Sequence, residues 1–274
     1  MKIKSPLTKK LTPFEYGVGN TARNLIRNGE MMKDQFEIIQ ENLNRVREQI
    51  AGALQKSARA ASPPDAVRLV AVSKYTDPQD GLIDLLFKAG CHDFGEARPQ
   101  MLLEKAEIHR TKGHSLHWHF IGPLQRNKIR KILPAVSLLH SVDSVKLAES
   151  LERIVSEEHL MPVNALLEVN ISGDAAKQGF SPDSFPAALD SIARFPHVRF
   201  HGFMCMSGLN SDTAAARRQF AAVRELAERM TPYAPDNCRF DELSMGMSGD
   251  LEAAILEGAT LVRIGSALFN GLLW

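Results

Sequence analysis

A lysine follows the first strongly apolar segment of the chain. The segment Arg68–Lys74 reads Arg-Leu-Val-Ala-Val-Ser-Lys, a short apolar run typical of a strand buried on both faces of a parallel sheet. Burial disfavours the ammonium form and lowers the pKa of a lysine, and such an amine suits Schiff-base chemistry. The alternative is that Lys74 turns out to solvent where the strand ends.

Two turns rich in glycine and serine follow two later apolar segments. One contains Ser244, Gly246 and Ser248 directly before a predicted helix, and the other is Gly265-Ser266. Small residues at a helix start expose backbone N–H groups, and the helix dipole adds positive potential, so these turns are candidate anion sites. Ordinary helix capping by Ser248 is the alternative for the first turn.

Histidines and cysteines give no metal-binding pattern. His117 and His119 flank a tryptophan and share one face of a predicted strand, without an obvious carboxylate partner. We expect at least one of them to be a hydrogen-bonded core histidine. The cysteines are Cys91, Cys205 and Cys238, and their wide spacing fits neither a disulfide framework nor a metal site but suits a reducing compartment.

The elements that must position these residues alternate between strand and helix. An amphipathic helix is predicted from about Lys33 to Lys56, because apolar residues recur there at helical spacing. Strands are predicted at 68–74, 93–96, 116–122, 138–142, 164–171, 198–206, 240–245 and 260–264. Helices are predicted at 77–90, 124–133, 144–159, 212–230 and 249–257. One further helix is predicted to end at about residue 110, and another to begin at residue 181.

This alternation predicts the fold class. Strict strand–helix alternation implies a parallel sheet with helical crossovers, and eight units after one extra N-terminal helix predict a single (β/α)8 TIM barrel. A doubly wound open sheet is the alternative, but it should carry a glycine-rich turn after the first strand, where this chain has Ser73-Lys74-Tyr75-Thr76. Barrel sites lie at the carboxyl ends of the strands, and phosphate frequently binds after strands seven and eight.

Placed on such a barrel, these residues suggest a cofactor. Lys74 on strand one, the turns after strands seven and eight, and a buried Arg263 together suggest pyridoxal 5'-phosphate (PLP). We expect Lys74 to lie opposite the two turns and to bind the aldehyde, while Arg263 faces the pyridine ring. The alternative for Arg263 is an ion pair with Glu96 or Glu168.

Four segments of the chain resemble the pyridoxal phosphate homeostasis protein family, whose members are related to the barrel half of alanine racemases (fold type III). The most specific segment is Trp118-His119-Phe120-Ile121-Gly122-x-Leu124-Gln125-x-Asn127-Lys128, and the others lie at 71–74, 243–248 and 262–269. The resemblance begins at about residue 33. It implies a Schiff-base lysine at Lys74, a ring-nitrogen arginine at Arg263, and phosphate turns containing Ser244, Gly246, Ser248, Gly265 and Ser266.

One position departs from the family and one segment adds a second lysine. The family usually reads Phe-Gly-Glu-Asn-Tyr after strand two, but this chain has Ala97 and Arg98 in place of Asn and Tyr. Arg98 either supplies a charge at the site or is solvated. The segment around Lys177 also matches the family, which makes Lys177 a second candidate for the cofactor amine.

The arginine favours a carrier over an enzyme. An arginine cannot give a proton to the ring nitrogen, so it leaves the ring a weak electron sink. The related racemases take a second acid/base tyrosine from an additional domain, which is not expected here because the chain ends soon after strand eight. Of Tyr16, Tyr75 and Tyr233, only Tyr75 lies at a strand end. We therefore expect a PLP-binding homeostasis protein that is not an enzyme, and a PLP-dependent amino-acid racemase is the alternative.

Composition limits the partners. The 274 residues carry 33 Lys+Arg and 32 Asp+Glu, a net charge of +1, which argues against a broad nucleic-acid surface. The run Lys128, Arg130 and Lys131 is expected to be a solvated helix face, a binding module being the alternative. The chain contains no apolar run of about 18 residues, so no membrane span is predicted. We expect a poorly ordered extension at 1–30, a PLP-binding domain at 31–274, and a cytoplasmic monomer that serves PLP-dependent client enzymes.

Overall fold

The first element is a long helix that covers the barrel. The computed structural model describes residues 17–171, 178–208 and 211–272, and it begins with helix α1 (Gly17–Lys56). The helix predicted from about Lys33 is therefore confirmed at its carboxyl end but starts earlier. The backbone of 17–30, predicted to belong to a poorly ordered extension, continues this helix, and residues 1–16 lie outside the described residues.

Eight parallel strands close into a barrel, which confirms the predicted fold class. Each strand pairs with the next in the chain, and the last pairs with the first. The strands are β1 (Arg68–Val72), β2 (Asp93–Glu96), β3 (His117–Phe120), β4 (Leu138–Val142), β5 (Val163–Glu168), β6 (Val198–Met204), β7 (Cys238–Ser244) and β8 (Leu261–Ile264).

Helices follow the strands and cover the outside of the barrel. They are α2 (Leu82–Lys88), α3 (Pro99–Thr111), α4 (Ile129–Ile132), α5 (Val145–Glu157), α6 (Phe185–Ile192), α7 (Thr213–Met230) and α8 (Leu251–Leu256). The helix predicted at 124–133 is reduced to the single turn of α4 between two 3₁₀ turns, Arg126–Lys128 and Leu133–Ala135. Pro134 lacks the backbone N–H that an α-helix needs for its i→i−4 hydrogen bond, which accounts for the change at the carboxyl end of this segment.

Several strands end earlier than predicted, and this moves Lys74 into a turn. β1 ends at Val72, and the next residues form a turn in which the N–H of Thr76 donates to the carbonyl of Ser73 at 3.0 Å. α2 starts at Leu82 rather than at residue 77, because Asp80 accepts hydrogen bonds from the N–H groups of Asp77 and Leu82 at 2.8 Å each. The loop after β1 is therefore longer than predicted.

The apolar core has two parts. The larger one lies between the strands and the helices, whereas a small cluster of Val70, Leu138, Leu166, Met204 and Leu261 comes from five different strands and fills the barrel interior. Helix α1 packs on α2 and α8. Its buried Asn42 donates to the carbonyls of Leu268 and Asn270 at 3.2 and 2.8 Å, which holds the segment that follows β8.

No helix among the described residues is long and apolar enough to cross a membrane.

Candidate functional site

The predicted site residues come together at the carboxyl ends of three adjacent strands. β8 pairs with β7 on one side and with β1 on the other, so Ser244, Arg263 and the turn that contains Lys74 are neighbours. A Cβ placed on Gly265 would lie 3.4 Å from the Cβ of Val72. The expectation that Lys74 lies opposite the two turns is therefore wrong, because barrel closure places β1 directly beside β8.

Lys74 has a fixed backbone and a free amine. Its side chain is half-buried, and its Nζ lies 5.0 Å from the centroid of the Tyr75 ring. Within the described residues Nζ has no hydrogen bond or ion pair. The backbone is held on both sides, because Lys105 Nζ donates to the carbonyl of Ser73 at 2.6 Å and Arg98 donates to that of Lys74 at 2.5 Å. Two side chains thus hold the backbone of this turn, which places the amine at the carboxyl end of β1.

A buried ion pair contacts the turn that contains Lys74. Lys105 of α3 and Glu96 at the end of β2 are both fully buried, with Nζ 2.7 Å from Oε2. The other Glu96 oxygen accepts from the N–H groups of Ala97 and Arg98 at 2.9 and 3.3 Å. Both oxygens of Glu96 are engaged, so Glu96 is not the predicted alternative partner of Arg263.

The two glycine/serine turns are tied to each other. Ser248 Oγ accepts from the N–H of Ala267 at 3.4 Å, and it does not cap α8, whose N-cap residue is Asp250. Gly246 has φ +93°, and a Cβ there would lie 2.6 Å from the Cβ of Ala254, so only glycine fits. Within the described residues, the N–H groups of Ser248, Gly249 and Ser266 donate no hydrogen bond. These unpaired donors make the paired turns a candidate anion site.

Arg263 is buried without an acidic partner. The residue is 5% exposed, and its Nη1 donates to the carbonyl and the hydroxyl of Ser244 at 2.7 and 2.6 Å, while Nη2 donates to the carbonyl of Cys205 at 2.9 Å. Burial lowers the pKa of Arg263. Among the described residues no carboxylate lies within ion-pair distance, so the predicted alternative of a pair with Glu96 or Glu168 is not observed. The Nε–H group donates to none of the described residues.

A chain of hydrogen bonds runs from Arg263 through the barrel interior. Ser244 Oγ accepts from Arg263 and keeps its own proton, which a neutral His140 accepts at Nδ1 over 2.9 Å, because the carboxylate of Asp93 at the far end of the chain can only accept. Neutral His140 then carries its proton on Nε2 and donates to His119 Nδ1 at 2.8 Å. His119 in turn donates from Nε2 to Asp93 Oδ1 at 3.0 Å. Every donor has one acceptor, so this relay fixes the tautomers of both histidines.

The relay connects a cation to a carboxylate. Burial, with the nearby positive charge of Arg263, holds the pKa of His140 well below its usual range, so the imidazole is neutral. Burial pushes the pKa of Asp93 upward, but the hydrogen bond from His119 and the nearby charge of Arg68 act in the opposite direction and leave it lowered. The expectation that the strand-three histidines have no carboxylate partner is therefore wrong. His119 is the predicted core histidine, whereas His117 is exposed and lies 3.5 Å from Asp93.

Glu168 adds an acidic group with an altered pKa at the end of β5. Burial and the negative charge of Asp143 raise its pKa to about 7, although Arg263 acts in the opposite direction. Glu168 is therefore partly protonated near neutral pH. It can hold or release a proton at the carboxyl end of the barrel.

The remaining predicted residues have separate outcomes. Arg98 is exposed, and its contact with the Lys74 carbonyl brings a positive charge to the rim of the site. Lys177 lies outside the described residues. Arg130, in the basic run, forms ion pairs with Glu157 and Glu158, as expected for a solvated helix face.

Sequence reasoning missed three residues of this arrangement. Lys105 occupies the buried face of α3, together with Leu102 and His109. Helical spacing places an apolar residue at this position, so the charge of Lys105 could have been recognised from the sequence as unusual. His140 lies within the apolar segment of β4, and Glu168 at the end of β5 was considered only as a partner of Arg263.

Comparison with known sequences gives a consistent result. A family model described as the alanine racemase N-terminal domain matches residues 37–272. The pyridoxal phosphate homeostasis protein of Pseudomonas aeruginosa is 42% identical over 236 residues, which cover 85% of this chain and 95% of that protein. The protein of the same name from Escherichia coli K12 is 34% identical over 233 residues, which cover 85% and 96%.

Solved structures of other proteins also resemble this chain. The PipY protein of Synechococcus elongatus, with PLP bound, is 36% identical and superposes with a TM-score of 0.69 over 81% of this chain and all of that protein. An alanine racemase of Clostridium difficile is 15% identical, with a TM-score of 0.63 over 86% of this chain and 55% of its own. The second likeness shows the fold alone.

Replacing Ser244 with alanine tests the relay. The variant removes an acceptor of Arg263 and leaves His140 Nδ1 without a donor, so the free energy of unfolding should fall by about 1–3 kcal/mol. Ser266→Ala, at an exposed serine, should change it by less than about 0.5 kcal/mol. Urea denaturation of the cofactor-free protein measures both. Equal effects of the two substitutions would contradict the relay.

Glu168→Gln tests the raised pKa. A carboxyl group whose pKa rises from 4.5 to about 7 on folding binds more protons in the folded state between these values. The free energy of unfolding therefore falls as pH rises through that window. The variant lacks this fall, so between pH 4.5 and 8 it should gain about 1–3 kcal/mol relative to wild type. Denaturation at several pH values measures the difference, with exposed Glu149→Gln as the matched control, and a pH-independent difference for Glu168→Gln would refute the assignment.

Proposed function

Because this chain belongs to the alanine racemase N-terminal domain family, and within it to the pyridoxal phosphate homeostasis proteins, we propose that it is a PLP-binding protein of PLP homeostasis. It holds the cofactor reversibly through Lys74 and has no strong catalytic activity of its own. The observation that carries this proposal is the convergence of a free amine, a carboxylate-free arginine and unpaired backbone donors on three adjacent strand ends.

The residues fit the three parts of the cofactor. The N–H groups of Ser248, Gly249 and Ser266 have no partner among the described residues and suit the phosphate. Arg263 has Nε–H available for the ring nitrogen, since only Nη1 and Nη2 donate to residues that the structure describes. Lys74 has no competing ion pair among the described residues. The positive charges of Lys74, Arg98 and Arg263 all favour an anionic ligand.

The chemistry is that of a carrier. When bound, PLP supplies an aldehyde that condenses with a primary amine to a Schiff base, with loss of water. The turn after β1 holds Lys74 in place for this attachment, and the paired turns after β7 and β8 bind phosphate. Arg263 donates a hydrogen bond but no proton, because its side chain stays charged.

A racemase is the alternative function for the same site. It requires a second acid/base on the face opposite Lys74. Tyr75 is the candidate, but its ring is 69% exposed and lies beside the Lys74 amine. A group on the same side as Lys74 does not supply the opposite face, which favours the carrier.

We infer the setting from the same observations. The proposed partners are PLP and PLP-dependent client enzymes, and neither a nucleic acid nor a membrane is proposed. The three cysteines are free and buried, which suits a reducing compartment such as the cytoplasm. We propose a monomer, because the site residues come from one barrel.

Lys74→Ala tests the attachment. The variant should lose the visible absorption of bound cofactor and its fixation by borohydride, while its circular dichroism stays unchanged. Lys128→Ala, at another half-buried lysine, should retain both. The modified peptide of wild type should contain Lys74. Fixation that persists in the Lys74 variant, or that maps to the peptide of Lys177, would show the assignment to be wrong.

Arg263→Glu and Arg263→Gln together separate carrier from catalyst. Both variants lose a charge-assisted contact and should release PLP more readily, by about 10- to 150-fold for about 1.5–3 kcal/mol. Only the carboxylate favours a proton on the ring nitrogen. Arg263→Glu should therefore exchange the α-proton of an added amino acid faster per bound cofactor, and Arg263→Gln should not. A wild-type protein that exchanges this proton at an enzyme-like rate would favour the racemase.

A further inference from the structure

A cluster of polar side chains lies in the outer helical layer, outside the strand ends described above. It consists of Asp84 in α2, His109 in the last turn of α3 and His114 in the loop before β3. Asp84 Oδ1 lies 3.4 Å from His109 Nδ1 and 3.5 Å from His114 Nδ1. The two Nδ1 atoms are 3.1 Å apart. Three atoms that can each donate a lone pair therefore face one another.

Hydrogen bonds alone do not satisfy this cluster. The two Nδ1 atoms can share one proton, with one imidazole as donor and the other as acceptor. Asp84 Oδ1 is buried and accepts no hydrogen bond from the part of the chain that the structure describes. A buried acceptor without a donor costs about 1–3 kcal/mol, so the arrangement favours a cation at its centre.

We propose that Asp84, His109 and His114 form a binding site for a divalent transition-metal ion of the Zn²⁺ class. Neighbouring ligand atoms of a tetrahedral Zn²⁺ ion lie about 3.3–3.4 Å apart, for bond lengths of about 2.0–2.1 Å. The three observed separations of 3.1, 3.4 and 3.5 Å bracket this value. Two imidazoles and one carboxylate are a ligand set that such ions use, and a water completes the tetrahedron.

Neighbouring side chains orient Asp84 and His114. Lys112 Nζ donates to Asp84 Oδ2 at 2.6 Å, which leaves Oδ1 directed at the histidines, as outer-shell partners of metal ligands commonly do. The ring of Phe87 stacks on His114 with centroids 4.2 Å apart. Burial lowers the pKa of His109 to about 4, so its imidazole is neutral at pH 7. The charge of Lys112 opposes the cation, and the carboxylate of Asp84 offsets it.

The bound ion would cross-link α2 to the connection between α3 and β3. Asp84 and His114 are partly exposed, with side chains 29% and 20% accessible, so the ion can enter from solvent. None of the three ligands belongs to the proposed PLP site. The metal site therefore stands or fails independently of the proposed function.

The test is a titration of the full-length, chelator-treated protein with Co²⁺ and Zn²⁺. Wild type should bind one Co²⁺ per chain with the ligand-field bands of tetrahedral coordination, Zn²⁺ should displace it, and Zn²⁺ should raise the melting temperature. His114→Gln and Asp84→Asn should weaken binding by more than about 100-fold, beyond the roughly 10- to 100-fold that loss of an outer-shell partner costs. Both variants change partly exposed side chains, which spares the buried His109.

His92→Gln is the matched control. His92 is exposed, and its ring centroid lies 5.3 Å from that of Phe87, the residue that stacks on His114. His92 is not one of the three ligands, so His92→Gln should bind the ion as wild type does. The proposal is overturned if wild type binds no stoichiometric ion. It is also overturned if His114→Gln and Asp84→Asn bind as wild type does, or if His92→Gln loses binding to the same extent.

Discussion

A guanidinium charge sealed inside the barrel has to be stabilised by protein dipoles, and the rest of the site depends on how this is done. Burying an ion costs several kcal/mol unless its donors are satisfied. Arg263 donates to two main-chain carbonyls and one hydroxyl, from Ser244 and Cys205. These acceptors lie at the ends of β6 and β7, so the strand register that places them also fixes the guanidinium. The hydrogen-bonded relay through His140 and His119 then links the guanidinium of Arg263 to the carboxylate of Asp93.

The carboxylate at the other end of the relay, Asp93, lies far from Arg263, so the charge at the strand ends stays positive. A carboxylate in contact with Arg263 would neutralise it, whereas the neutral imidazole of His140 leaves the charge of Arg263 effective at the open end of the barrel. Glu168, the nearby acid, is partly protonated because its pKa rises to about 7, so it contributes less negative charge. Glu96 is neutralised by Lys105. The strand ends therefore present positive charge to a ligand, as a phosphate ester requires.

Much of the fold and part of the site could be predicted from local sequence pattern. The strand–helix alternation was sufficient to predict the barrel. The strand-end positions of Lys74, Arg263 and Gly265 were sufficient to predict that these residues belong to one site. Strand ends were less predictable, because tertiary bonds such as that from Lys105 to the Ser73 carbonyl decide where β1 stops. The relay was not predictable, since its five members come from five separate strands, and the two histidines and the serine each resemble an ordinary core residue. The Asp84 cluster depends on helix packing that spacing alone does not encode.

Closure of the barrel between β1 and β8 has a consequence for synthesis of the protein. Lys74 belongs to the first unit of the barrel and Arg263 to the last, so the amine and its companion turns become neighbours only after the final strand has been translated and paired. A nascent chain that lacks β8 has the lysine but neither the arginine nor the second turn. With the site proposed above, cofactor loading would be post-translational, and retention of the ligand would report that the whole barrel has been completed.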